Sequence, residues 1–146
     1  MNEIASYPSL ANKVVIITGG ASGIGASIVE QFVMQKSTVA FIDIEEEAGM
    51  SLANSLFKKF KSKPLFVKCD LKNISELKNS IEKIKSKLGP ISILINNAAN
   101  DERHNIDDVT PEYWDDRMNI NLKHYFFATQ SVYKDMKKLG KGTIVN

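Results

Sequence analysis

The strongest constraint in the chain is an apolar strand that runs straight into a glycine turn. Val14-Val15-Ile16-Ile17-Thr18 is followed at once by Gly19-Gly20-Ala21-Ser22-Gly23-Ile24-Gly25. A continuous β-branched run of this kind reads as a strand buried on both faces. From Gly23 to about Lys36, Ile24, Ile28, Val29, Phe32 and Val33 recur at helical spacing. Strand, glycine turn and helix together collect free backbone amides at a helix N-terminus, where they can hold an anion with help from the helix dipole. Glycines serve such a turn by allowing its torsions and by letting a diphosphate come close to the backbone.

The same alternation continues along the chain. Thr38–Asp43 reads as a second strand and Glu45 to Ser62 as a helix, with acids in its first turn and lysines near its last. Leu65–Cys69 is a third strand, and Ile74–Leu88 a helix stopped by Gly89-Pro90. Ile91–Asn96 is a fourth strand, and Asn100–Val109 a polar loop. Thr110 and Pro111 open a long helix that runs to about Leu139, and Thr143–Asn146 begins a fifth strand. Strands alternating with helices imply a parallel sheet covered on both faces, joined by right-handed crossovers.

Asp43 ends the second strand, where a dinucleotide fold needs an acid for the adenosine ribose. Its carboxylate can accept from both ribose hydroxyls and repels a 2′-phosphate. No Lys or Arg lies in the glycine turn or just after Asp43, where Ile44, Glu45, Glu46 and Glu47 follow. NAD is therefore favoured over NADP. The plainer alternative is a turn used only for packing, with Asp43 as a helix cap. A sharper rival is an S-adenosylmethionine-dependent methyltransferase, which also uses a glycine turn and a ribose-binding acid. That turn usually carries an acid just before it, where this chain has Thr18.

Thr18-Gly19-Gly20-Ala21-Ser22-Gly23-Ile24-Gly25 resembles the T-G-x-x-x-G-I-G signature of the short-chain dehydrogenase/reductase family. Asn96-Asn97-Ala98-Ala99 resembles that family's N-N-A-G, with Ala99 in place of the last glycine. Asn119-Ile120-Asn121-Leu122 is similar to its V-N-L segment, and Gly142-Thr143-Ile144-Val145-Asn146 to the start of its fifth strand. These motifs stand in family order over nearly the whole chain.

The resemblance implies an α/β, Rossmann-type doubly wound parallel sheet with strand order 3-2-1-4-5. Residues 1–146 are then one NAD-binding domain, truncated at strand five and so C-terminally incomplete. It also implies hydride transfer between an alcohol and a carbonyl with NAD, on a small-molecule substrate, and a homo-oligomer in the full-length form. Carried over residue by residue, Gly19, Ser22, Gly23, Ile24 and Gly25 hold the diphosphate and Asp43 the ribose. Asp70, with Leu71, takes the adenine; its plainer reading is a helix-capping carboxylate. Asn97 and Ala98 line the adenosine ribose. Asn121 resembles the asparagine that bends the helix locally and holds a water beside the catalytic lysine. The family's catalytic serine, tyrosine and lysine are expected beyond Asn146. Of the tyrosines present, only Tyr133 has a lysine four residues on, Lys137, and that pair precedes strand five, where no hydride acceptor would sit.

Asn96–Asp101, Glu102, Arg103 and His104, with Thr110–Asp115, look like the bacterial sugar (aldose) dehydrogenases of the family, with His104 a candidate substrate contact. A non-catalytic dinucleotide-binding module, whole at this length, is the second reading. Bare apolar faces around strand five predict self-association of the chain. Trp114, Tyr125, Phe126 and Phe127 are expected in the core or at a subunit interface.

Composition narrows the classes further. Of 146 residues, 43% are hydrophobic and 25% charged, with a formal net charge of +2, so nothing drives the chain toward nucleic acid or a membrane. Lys58–Lys63 reads as a solvated helix end. Cys69, the one cysteine, can form no internal disulfide and no metal site alone, which suits a reducing setting. Met1 to Lys13 lacks the apolar core of a signal peptide, and a cytoplasmic location is expected.

Overall fold

A computed structural model describes residues 5–146; the first four residues of the N-terminal stretch considered above lie outside the described residues. Five strands form one parallel sheet: β1 (Val14–Thr18), β2 (Thr38–Asp43), β3 (Leu65–Lys68), β4 (Ile93–Asn96) and β5 (Thr143–Val145). Their order is β3-β2-β1-β4-β5, as expected. The connecting helices are α1 (Gly23–Met34), α2 (Glu46–Phe60), α3 (Ile74–Leu88), α4 (Pro111–Met118) and α5 (His124–Leu139).

Side-chain alternation along the buried strands sorts the helices onto two faces. Val15 and Ile17 of β1 and Val39 and Phe41 of β2 pack against Val29 and Val33 of α1 and Ala53 and Leu56 of α2. Ile16, Ala40, Ile42 and Leu94 face the other way, onto Leu77, Ile81 and Ile84 of α3 and Ala128, Val132 and Met136 of α5. Each fully buried Ile or Leu here contributes about 2 kcal/mol by leaving water. In register, Thr18 lies level with Ile42 and Asn96, and Asp43 with Lys68. The C-terminal strand ends therefore gather at one edge, where open α/β sheets bind ligands.

Side-chain caps open two of the helices, at Thr110 as the sequence implied and at Asn73. Thr110 Oγ1 accepts from the Tyr113 N–H at 3.2 Å with Pro111 behind it, and Asn73 Oδ1 accepts from the Glu76 N–H at 3.1 Å. Other boundaries move for identifiable reasons. α1 stops at Met34 because Lys36 takes a left-handed turn with φ +61°. β4 starts at Ile93 rather than Ile91, whose N–H goes to the Asp135 carboxylate at 3.1 Å. The polar loop holds a short 3-10 turn, Ile106–Asp108. The long helix is interrupted by a π-helical stretch over Asn119–Lys123. Phe127 packs against the core, whereas Trp114 and Phe126 are 60% and 64% exposed.

Candidate functional site

Thr18 Oγ1, at the end of β1, anchors the sheet edge. It lies 3.1 Å from the Asn97 N and 3.2 Å from the Ala98 N, joining β1 to the segment after β4. Asn97 returns the link, its amide donating to the carbonyls of Thr18 at 3.1 Å and Gly19 at 3.0 Å. The glycine turn is thus stapled to the end of β4. Gly19 has φ +66°, and a Cβ there would come within 2.7 Å of the Ala98 Cα. A Cβ on Gly25 would strike the Gly19 carbonyl. Gly25 therefore lets α1 close on the turn itself.

The N-terminus of α1 is left open toward solvent. Ser22 is its N-cap but makes no side-chain cap bond, and the ladder begins with the Ala26 N–H on the Ser22 carbonyl. The amides of the first turn precede that ladder, so they remain available to an anion. Nothing lies within 4 Å of a Cβ built on Gly23.

Asp43 sits beside this turn, 9% exposed. Its Oδ2 accepts from the Ala21 N–H at 2.9 Å and its Oδ1 from the Glu45 N–H at 3.1 Å. It thus does some of the capping work of the plainer reading, but a carboxylate offers about four acceptor positions and these bonds use two. Asp70 also turns its own loop, accepting from the Lys72 N–H at 2.9 Å.

A cleft of about 600 Å³ joins these parts. Gly19, Ser22, Gly23, Ile24, Gly25, Asp43, Asp70, Leu71, Asn97 and Ala98 all line it. Every cofactor position expected from the sequence is therefore at one wall or another of a single cavity. Asn121 is not in that lining: its amide pairs with the Asn100 backbone, accepting from the N–H at 2.7 Å and donating to the carbonyl at 2.9 Å. It sits within the π-helical stretch that interrupts the long helix. His104 is exposed and outside the lining, its ring 4.0 Å from that of Tyr113. Tyr133 and Lys137 are exposed on α5 and also outside it.

Several residues at the site escaped sequence reasoning. Lys72 and Asp116 both line the cleft and form an ion pair at 2.9 Å. The pair joins the loop after β3 to α4, and no local pattern announces it. Cys69 lines the cleft too, its thiol pushed up to about 11 chiefly by burial and partly offset by a hydrogen bond with Ser80. His124, fully buried, meets Thr18 at 3.3 Å; its only sequence signal is an imidazole on the apolar side of a helix.

A parallel sheet with this order, and an open helix N-terminus beside an acid at the next strand end, define a Rossmann-type α/β fold. The family model for short chain dehydrogenases matches residues 13–146, and the chain belongs to that family. D-xylose 1-dehydrogenase of Caulobacter vibrioides is 43% identical over 142 residues, 97% of this chain and 55% of that protein. A probable galactose dehydrogenase of Rhizobium meliloti is 39% identical, covering 97% of this chain and 56% of its own length. The structure of L-sorbose reductase from Gluconobacter frateurii with NADPH and L-sorbose superposes with a TM-score of 0.87 at 26% identity, over 92% of this chain and 51% of that one. The chain thus spans about half the length of the relatives it matches. Family membership favours the oxidoreductase reading over the methyltransferase. Among the described residues, no helix is long and apolar enough to cross a membrane.

Proposed function

We propose that the chain forms the cofactor half of an NAD-dependent oxidoreductase that interconverts an alcohol and a carbonyl on a sugar. The observation that carries this reading is the meeting, in one cleft, of an uncapped helix N-terminus and the buried Asp43 carboxylate. A bound nicotinamide dinucleotide supplies the hydride chemistry. The chain's own groups bind and orient it. Ser22 and the amides of Gly23, Ile24 and Gly25 hold the diphosphate, and Gly19 lets the backbone approach. Asp43 takes the ribose hydroxyls with its remaining lone pairs. Asp70 and Leu71 seat the adenine, and Asn97 and Ala98 form the opposite wall. Asn121 acts by holding the Asn100 backbone, and so the loop that borders the cleft. The catalytic serine, tyrosine and lysine of the family are expected beyond Asn146.

The preference for NAD rests on Asp43, because a 2′-phosphate brought to the same hydroxyls would meet a carboxylate. Lys72, a cation in the cleft lining, is already paired with Asp116. The sugar assignment is supported by the names of the xylose and galactose dehydrogenases above and by the polar Asn100 and Asp101 at the cleft. A reducing, cytoplasmic setting suits the buried free thiol of Cys69. NADH should bind at least about tenfold more tightly than NADPH, and Asp43→Ala should abolish that preference. Fluorescence titration measures both; equal affinities in the unmodified chain would contradict the cofactor assignment.

A further inference from the structure

His124 is the first residue of α5, fully buried, and no part of the cleft lining. Its Nδ1 meets the Ile120 carbonyl, and its Nε2 lies 3.3 Å from Thr18 Oγ1. The protons in this network can be assigned from donors and acceptors alone. A carbonyl only accepts, so Nδ1 carries the ring proton. The Asn97 and Ala98 amides only donate, and they occupy both lone pairs of the Thr18 oxygen. The Thr18 hydroxyl proton is left, and Nε2 accepts it. The ring is therefore neutral and in one tautomer; a proton on Nε2 would face a hydroxyl with no lone pair to offer. Burial agrees, holding the imidazole down to about 4 against a smaller upward pull from the Ile120 carbonyl.

Both ends of this chain of bonds reach the cleft. Ile120 lines it within the π-helical stretch, and Ala98 lines it at the end of β4. The next residue helps: Tyr125 donates through its hydroxyl to the Ala98 carbonyl at 3.3 Å, and its ring stands edge-on to His124 at 4.4 Å. The depth of Ala98 matters because it already crowds the position a Gly19 Cβ would take.

We propose that His124 is a positioning residue for the cofactor cleft: its neutral imidazole ties the π-helical turn to the Thr18 hydroxyl and so holds the Asn97–Ala98 wall at the depth that admits the dinucleotide. The role rests on the cofactor reading above, and it adds to that reading a residue that touches no cofactor.

Two isosteric variants separate the ring's two ends. His124→Gln places an acceptor near the Nε2 position, and His124→Asn places a donor near Nδ1 but falls short of Thr18. Amide hydrogen exchange, read without nucleotide, comes first. In His124→Asn the Asn97 and Ala98 amides should lose protection by about tenfold or more, as for one buried hydrogen bond removed. His124→Gln should recover most of it, and Thr18→Val should reproduce the loss. NADH affinity should follow, weakened in His124→Asn and Thr18→Val and largely restored in His124→Gln. Unchanged protection in His124→Asn would overturn the proposal. So would equal losses of affinity in the Asn and Gln variants that track melting temperature alone. An unmodified chain that shows the expected exchange pattern yet binds no NADH would instead remove the cofactor reading, and the positioning role with it.

Discussion

Cys69 in the cleft and His124 behind it have pKa values shifted chiefly by burial. Cys69 is raised to about 11, so its reactive thiolate is scarce near neutrality. Ellman's reagent should modify it only as the chain unfolds; rapid stoichiometric labelling of the folded chain would contradict this. His124 is lowered to about 4, below its ordinary 6.5. The folded state then binds fewer protons than the unfolded state between those values. Its contribution is complete above about pH 6.5 and declines as pH falls through about 4. That gap corresponds to something on the order of 3 kcal/mol. Thermal melts should therefore show the unmodified chain losing more stability than His124→Gln over that window; parallel losses would contradict the assignment. At this scale the sequence was legible where a residue type has one use. The glycine turn and Asp43 could be picked out from local spacing and Asp70 from the family resemblance, and all of them line the cleft. Thr18 and His124 could not be paired, because their hydrogen bond joins the end of β1 to the start of α5, far apart in the chain.

Among the elements, strands and helix starts were readable because buried apolar runs and cap residues act locally. The π-helical stretch was not readable from periodicity, since the contacts of Asn121 within it, to Asn100, and of His124 just after it, to Thr18, are tertiary. The start of β4 was likewise shifted by a side chain from elsewhere, Asp135 on α5. Asp135 is buried, accepts from the Ile91 N–H and pairs with Lys85 of α3 at 3.2 Å. Burial pulls the Lys85 ammonium down, but its bonds to Glu82 and Asp135 leave it raised overall. Asp135→Ala strands the Ile91 backbone donor and leaves the mostly buried Lys85 ammonium with Glu82 as its one acidic partner. It should cost about 2–3 kcal/mol, less than for a fully enclosed pair because part of Lys85 meets solvent. Denaturant unfolding measures this, and a loss within about 0.5 kcal/mol would show that the pair holds α3 and α5 together only weakly.

For the whole molecule, two-sided helix packing followed from the alternation of elements and the sheet order from the family resemblance, whereas exposure of the aromatic helix face followed from neither. Trp114, Met118, Leu122 and Phe126 are all exposed along α4, the π-helical stretch and α5, and Ile144 and Val145 are exposed on β5. Exposed large apolar side chains in this number favour association. The 146-residue chain should self-associate in sedimentation, and Leu122→Glu with Phe126→Glu should reduce it; a monomer in both cases would contradict that expectation. The central claim is that one cleft at the strand ends binds a nicotinamide dinucleotide through the first turn of α1 and Asp43. Titrating NADH into isotope-labelled chain and following the backbone amide resonances tests it most directly. Saturable shifts should concentrate at Ser22–Gly25, Asp43, Asp70–Leu71 and Asn97–Ala98. No saturable shifts, or shifts clustered away from the α1 N-terminus, would contradict it.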